Sequence, residues 1–222
     1  MGEFITLPAP SGGRAYLAVP RREQGPGVLV LHAWWGLNRF FTSLCDRLAE
    51  QGYLAMAPDL YGNQLAGTIE EAQALLNSSD NQTMFEAATT SLELLASDPR
   101  RLGNACGALG FSLGGAWGVL LSALRPALLQ SVVIFYGVGE ADFSKSKASY
   151  QGHFAEGDEW EPEEGVRQME ASMHAAGLET EFYFYPESGH WFFEADRPND
   201  FRQQSAALAW DRTLDFLRRR LY

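Results

Sequence analysis

The chain is short of cysteine, of positive charge and of long apolar runs, and each shortage closes off a class of function. Cysteine occurs twice in 222 residues, at Cys45 and Cys106, with no CxxC or metal-like spacing. No disulfide framework or metal site is implied, and a reducing compartment is the default expectation. Cys106 falls inside an apolar run and reads as a buried, inert thiol. Lys and Arg total 17 against 28 Asp and Glu, a formal net charge of −11. With no long basic run, binding to a nucleic-acid backbone is not expected. The short run Arg218-Arg219-Arg220 closes the last helical segment, where it is expected to complement the helix dipole. No apolar stretch reaches spanning length, and Met1-Gly2-Glu3-Phe4 does not begin a signal peptide. No membrane partner is expected, and cytoplasmic residence is the default. Repeats, low-complexity tracts and linker-like segments are also missing, and no pattern bears on oligomeric state.

What remains is the composition of a soluble globular protein, 46% hydrophobic and 20% charged. One domain over residues 1–222 is the simplest count; a domain of this size buries roughly 70–75% of its unfolded surface. Phe4–Leu7 and Ala15–Val19 are short strand-like runs around Pro8-Ala9-Pro10-Ser11-Gly12-Gly13, which predicts an edge hairpin. Continuous apolar runs follow at Val28–Leu31, Tyr53–Ala57, Ala105–Leu109 and Ser131–Tyr136, as strands buried on both faces require. Tyr150–Ala155 and Glu181–Tyr185 are weaker strands. Helical periodicity covers Arg39–Gln51, Thr68–Asn77, Asn81–Ala96, Ser112–Leu124, Glu163–Ala176 and Asn199–Tyr222. Thr68 with Glu71 reads as a capping box, and Gly52 and Gly177 as helix stops. Such alternation predicts an α/β fold: a mostly parallel twisted sheet with helices on both faces and an N-terminal antiparallel hairpin.

Chemistry gathers where strands end, the place where open α/β sheets bind ligands. Gly110-Phe111-Ser112-Leu113-Gly114 follows the Ala105–Leu109 strand and opens a helix. This Gly-x-Ser-x-Gly pattern fits a nucleophile elbow, whose sharp turn leaves no room for a Cβ at its glycines. Asp158 follows a later strand and His190 the last one. Ser, Asp and His thus stand in the chain order of the α/β-hydrolases. A serine hydroxyl needs a neutral imidazole to take its proton, and the imidazole needs a carboxylate to hold its tautomer. The developing oxyanion needs fixed donors, expected from the backbone N–H groups of Leu113 and Trp34. Blander roles stay open: Ser112 as a helix cap, His190 as a loop histidine, Asp158 as a turn residue with Glu140 and Asp142 as rival acids. His32 reads as a buttress of the oxyanion loop, and His153 and His174 as structural. Trp35, Tyr136, Trp160, Trp191 and Phe192 are candidate substrate contacts, favouring apolar or aromatic acyl or alcohol groups.

With these residues placed, the chain resembles the dienelactone hydrolase family. The likeness rests on His32-Ala33-Trp34-Trp35-Gly36-Leu37-Asn38, Ala57-Pro58-Asp59-Leu60-Tyr61-Gly62, Gly110–Gly115, Tyr136-Gly137, Gly157-Asp158 with Pro162, and Gly189-His190. It implies Ser112 as nucleophile, Asp158 as acid and His190 as base, with no metal or organic cofactor. Members with the namesake activity carry a cysteine nucleophile and an activating glutamate, whose places are held here by Ser112 and Ala33. An arginine that those members use for the substrate carboxylate would fall near Glu194, with Arg197 close by but off register. The implied partner is a small-molecule ester, cleaved through an acyl-enzyme on Ser112. A lactone hydrolase of the carboxymethylenebutenolidase type and a non-catalytic binding protein on the same fold are the alternatives.

Overall fold

The computed structural model describes residues 1–222 and is built around one eight-stranded sheet. The strands are β1 (Glu3–Thr6), β2 (Arg14–Ala18), β3 (Gly25–Leu31), β4 (Leu54–Pro58), β5 (Arg101–Phe111), β6 (Leu129–Phe135), β7 (Ser149–Ala155) and β8 (Thr180–Tyr185). Their spatial order is β1-β2-β4-β3-β5-β6-β7-β8. β1, β2 and β4 pair antiparallel, so the expected hairpin forms the sheet edge; every other pairing is parallel. The helices are α1 (Arg39–Glu50), α2 (Ile69–Ser78), α3 (Asn81–Ser97), α4 (Leu113–Leu124), α5 (Glu163–Ala175) and α6 (Gln203–Leu221). α3 and α4 pack together over the middle of one face, and α1 and α6 cover the other, tied by the Arg47 guanidinium over the Trp210 ring. No helix is long and apolar enough to cross a membrane.

Burial explains the strand sequences. Every residue of β3 and β4 is buried, as are the last seven of β5 and all but one of β6, so neither face has a use for polar alternation. Sixty-two side chains join into one apolar cluster. Helix boundaries obey their caps. Thr68 and Glu71 form the reciprocal capping box expected of them, and Gly52 and Gly177 take the left-handed conformations their helix ends require. Asn38 caps α1 through Oδ1, which accepts from the Phe40 and Phe41 N–H groups.

Some expectations change. β5 begins at Arg101, not Ala105: its first residues pair with Gly25 and Pro26, but Arg101–Asn104 is not buried and its Arg-Leu-Gly-Asn sequence makes no apolar run. A register shift beside Pro26 accommodates a residue that has no N–H for the ladder. The stretch after β6 holds a single 3₁₀ turn over Phe143–Lys145. The arginines ending α6 do more than face a dipole: Arg219 forks onto Glu181 of β8 and also pairs with Asp215, and Arg220 pairs with Glu179. α6 itself starts at Gln203, four residues later than its periodicity suggested.

The topology selects one crevice. From β3 the chain moves to β4 on one side, and β5 then lies on the other side of β3. The loops after β3 and β5 therefore part at the C-terminal edge of the sheet, a topological switch point where a ligand can enter between them.

Candidate active site

At this crevice β5 turns into α4 through Ser112, whose φ of +50° and ψ of −114° are strained values for a residue with a Cβ. Three glycines make the turn possible. A Cβ on Gly110 would lie under 3.0 Å from Gly114 O and Gly115 Cα, and one on Gly114 under 3.0 Å from Leu31 O and His32 O. A Cβ on Gly137, after β6, would strike Ser112 O from the other side. The elbow is thus wedged between the ends of β3 and β6. Ser112 makes no capping bond to α4. Its Oγ lies 3.0 Å from His190 Nε2 instead.

His190 Nδ1 lies 2.8 Å from Asp158 Oδ2 and 3.1 Å from Oδ1. A carboxylate facing Nδ1 calls for a proton there, which leaves Nε2 as the acceptor for the Ser112 O–H. Asp158 follows Gly157, whose φ of +72° bends the chain after β7. Oδ1 of Asp158 also accepts the N–H groups of Trp160 and Glu161 at 2.9 and 3.0 Å, fixing the carboxylate in place. Asp158 and His190 are both buried, so their bond is shielded from water. The rival acids stand away: Glu140 is exposed, and exposed Asp142 is paired with Ser144 and Lys145.

The loop after β3 is held by His32, which is fully buried. Its Nδ1–H donates to Ala33 O at 2.7 Å, and its Nε2 accepts the Leu60 N–H at 3.1 Å. Burial lowers its pKa, which keeps the ring neutral and able to do both. The Leu60 end is fixed in turn by Asp59, which accepts from the N–H groups of Tyr61 and Asn63 and pairs with Arg14. The backbone N–H groups of Trp34 and Leu113 donate to no protein acceptor and stand at the two loops bordering the crevice. His153 sits apart, buried among Tyr185, Gln151 and Thr213, with its pKa brought down to about 3 by desolvation and the Arg212 guanidinium. His174 bonds Thr180 at the surface.

The aromatic candidates divide. Trp160 is 45% exposed and forms the rim, with its ring 5.2 Å from Trp34, 5.5 Å from Trp191 and 6.4 Å from His190. Trp34 and Trp191 are the next ring inward, each nearly buried. Trp35, Tyr136 and Phe192, also expected to touch substrate, have no more than 1% of their surface exposed and support the site from behind. Trp35 is covered by the Arg197 guanidinium, 3.2 Å from its ring centre. Phe192 packs between Tyr136 and Tyr185. Tyr136 is turned into the core by a φ of +40°, and its hydroxyl donates to Glu194 Oε1 at 2.9 Å. Sequence reasoning marked Glu194 only as an acid where an arginine could stand. Its burial and its partner just after β6 had no local signal. Glu161 was also missed; it accepts the Val138 N–H, and burial raises its pKa beside His190. No three His, Cys, Asp or Glu side chains gather in metal-binding range.

Comparison with known proteins points the same way as this geometry. The profile of the dienelactone hydrolase family matches residues 14–221. A Yersinia pestis protein provisionally named carboxymethylenebutenolidase is 31% identical over 220 residues, covering 91% of this chain and 82% of its own. Protein usf of Aquifex pyrophilus is 28% identical over 218 residues, 92% of each chain. Among solved structures, a Klebsiella pneumoniae protein provisionally titled dienelactone hydrolase superposes with a TM-score of 0.84 at 26% identity, over 97% of both chains.

Proposed function

The chain belongs to the dienelactone hydrolase family, and from that premise we propose that it is a serine hydrolase cleaving small carboxylic esters through an acyl-enzyme on Ser112. The observation that carries the reading is the unbroken hydrogen-bond chain Ser112 Oγ, His190 Nε2, His190 Nδ1, Asp158 Oδ2, at 3.0 and 2.8 Å. Ser112 Oγ attacks the ester carbonyl as His190 Nε2 takes its proton. The oxyanion accepts from the N–H groups of Leu113, at the positive end of α4, and Trp34. His190 then gives the proton to the leaving alkoxide. A water, deprotonated by the same nitrogen, attacks the acyl-enzyme; the acid leaves and Ser112 regains its proton. Asp158 keeps Nδ1 protonated and stabilises the imidazolium in both halves. All 222 residues act as one domain in this reading. The Trp34, Trp160 and Trp191 rings favour apolar or aromatic groups at the mouth, and two unpaired buried thiols accord with a reducing, cytoplasmic setting.

The test is turnover of a p-nitrophenyl ester together with labelling by a fluorophosphonate. Ser112→Ala should abolish the adduct and lower kcat by about 10⁶-fold, and Asp158→Asn should lower it by about 10⁴-fold. A Ser112→Ala protein that keeps most of its activity refutes the assignment. The name carried by the Yersinia pestis relative favours a second reading, a lactone hydrolase acting on dienelactone. Specificity constants for dienelactone and the p-nitrophenyl ester, measured side by side, separate the two.

A further inference from the structure

We infer that Tyr136 and Glu194 form a positioning pair for His190, bracing the loop that carries the base against the elbow that carries the nucleophile. The inference rests on the reading of Ser112, His190 and Asp158 as the reacting set. Glu194 lies four residues after His190 and is completely buried. One carboxyl oxygen accepts from the Tyr136 hydroxyl; the other has no partner. A buried carboxyl left half satisfied is costly, and apolar packing alone would not call for one here. Its single partner explains its place. Tyr136 is held in the left-handed region, and its ring lies 5.0 Å from that of His190. The next residue, Gly137, abuts the Ser112 backbone. The Tyr136–Glu194 bond therefore links the histidine loop, the end of β6 and the back of the elbow. If the brace is removed, His190 keeps Asp158 but loses its fixed distance to Ser112 Oγ.

The pair is built to work with the carboxyl protonated. Desolvation, opposed by the Tyr136 hydrogen bond, pushes Glu194 up to about 8. The charged groups around it are Asp196, Arg197 and Asp200 on its own loop, with Asp158 and His190 beyond the Tyr136 ring. Arg197 is not within ion-pair distance of it. Ionisation leaves a negative charge in the core without a cation, and water must open the 190–197 loop to solvate it.

The experiment measures kcat and KM on a p-nitrophenyl ester from pH 6 to 10 for the wild type, Tyr136→Phe, Glu194→Leu and Glu194→Gln, with fluorophosphonate labelling of each. Tyr136→Phe and Glu194→Leu should lower kcat by roughly 10- to 100-fold, the scale of a small misplacement of a reacting group, with KM changed less than about threefold. Glu194→Gln keeps the acceptor and cannot ionise. It should restore kcat at pH 7 to within about threefold of wild type and remove an alkaline fall that the wild type shows near pH 8. Should Glu194→Leu fail to fold, Tyr136→Phe, which loses a single oxygen, carries the test. Unchanged kcat in Tyr136→Phe, or an alkaline fall retained by Glu194→Gln, overturns the inference. A wild type that neither labels nor turns over overturns the serine-hydrolase reading and this inference with it; a labelled, active wild type with unaffected variants overturns this inference alone.

Discussion

Glu194→Gln should gain stability relative to the wild type as pH is raised from the acid to the alkaline range. In the unfolded chain the carboxyl titrates near its ordinary 4.5; in the folded protein burial holds it near about 8. Between those values the unfolded chain has released a proton that the folded chain retains, so stability falls as pH rises through the interval and levels off above it. Each pH unit in the interval costs about 1.4 kcal/mol. From pH 5 to pH 8.5 the wild type therefore loses about 4 kcal/mol through this group alone. The glutamine loses none of it. Its buried amide donors cost about 1–3 kcal/mol if unpaired, but that cost is the same at both pH values. All other titrating groups are shared by the two proteins. In a domain of this size 1 kcal/mol moves Tm by roughly 2–4 °C, so the variant's Tm relative to wild type should rise by on the order of 10 °C between pH 5 and pH 8.5. Differential scanning calorimetry at the two pH values measures it. A difference that stays constant within about 2 °C means that Glu194 is already ionised in the folded protein, and the account of its burial is wrong.

Two further outcomes follow from the same structure. Gly114→Ala drives a Cβ into the Leu31 and His32 carbonyls, which are backbone and cannot rotate away; it should lower the urea midpoint by the equivalent of about 3 kcal/mol, and a change below about 0.5 kcal/mol would mean that the elbow is less tightly wedged than described. His153 has its folded pKa depressed to about 3, so it contributes stability that is full above about 6.5 and is lost as pH falls towards 3. The Cε1–H resonance of His153 should not titrate between pH 7 and pH 4, and a midpoint above pH 5 would contradict its burial among Tyr185, Gln151 and Thr213.

The alternation of apolar strands with amphipathic helices was legible in the sequence because each element carries its own periodicity, cap or stop. Thr68, Glu71, Gly52 and Gly177 act within a few residues of themselves, and each sits as its local chemistry requires. Ser112, Asp158 and His190 could be picked out for a related reason: each follows a strand, and strand ends in a parallel sheet converge. The start of β5 was hidden because Arg101–Asn104 lies outside the buried part of the strand, and its Arg-Leu-Gly-Asn sequence makes no apolar run.

Proximity across the fold was not encoded locally. No spacing in the chain says that Asp158, and not Asp142, faces His190; the bend at Gly157 and the bonds from Trp160 and Glu161 decide it. Nor does composition say which aromatics line the cleft. Trp160 stands at the rim, while Trp35, Tyr136 and Phe192 are buried behind it, because burial depends on what the other loops lay over each ring. Glu194 is the clearest case. In sequence it is one acid among 28 Asp and Glu residues. Only packing against Tyr136, 58 residues away, strips it of water and turns it into a buried, half-satisfied carboxyl behind His190. The sequence by itself determined the elements and the three strand-end residues, since those follow from short-range periodicity and sterics; the tertiary structure decided which groups meet and which are dry, since desolvation and long-range contact exist only once the sheet has assembled.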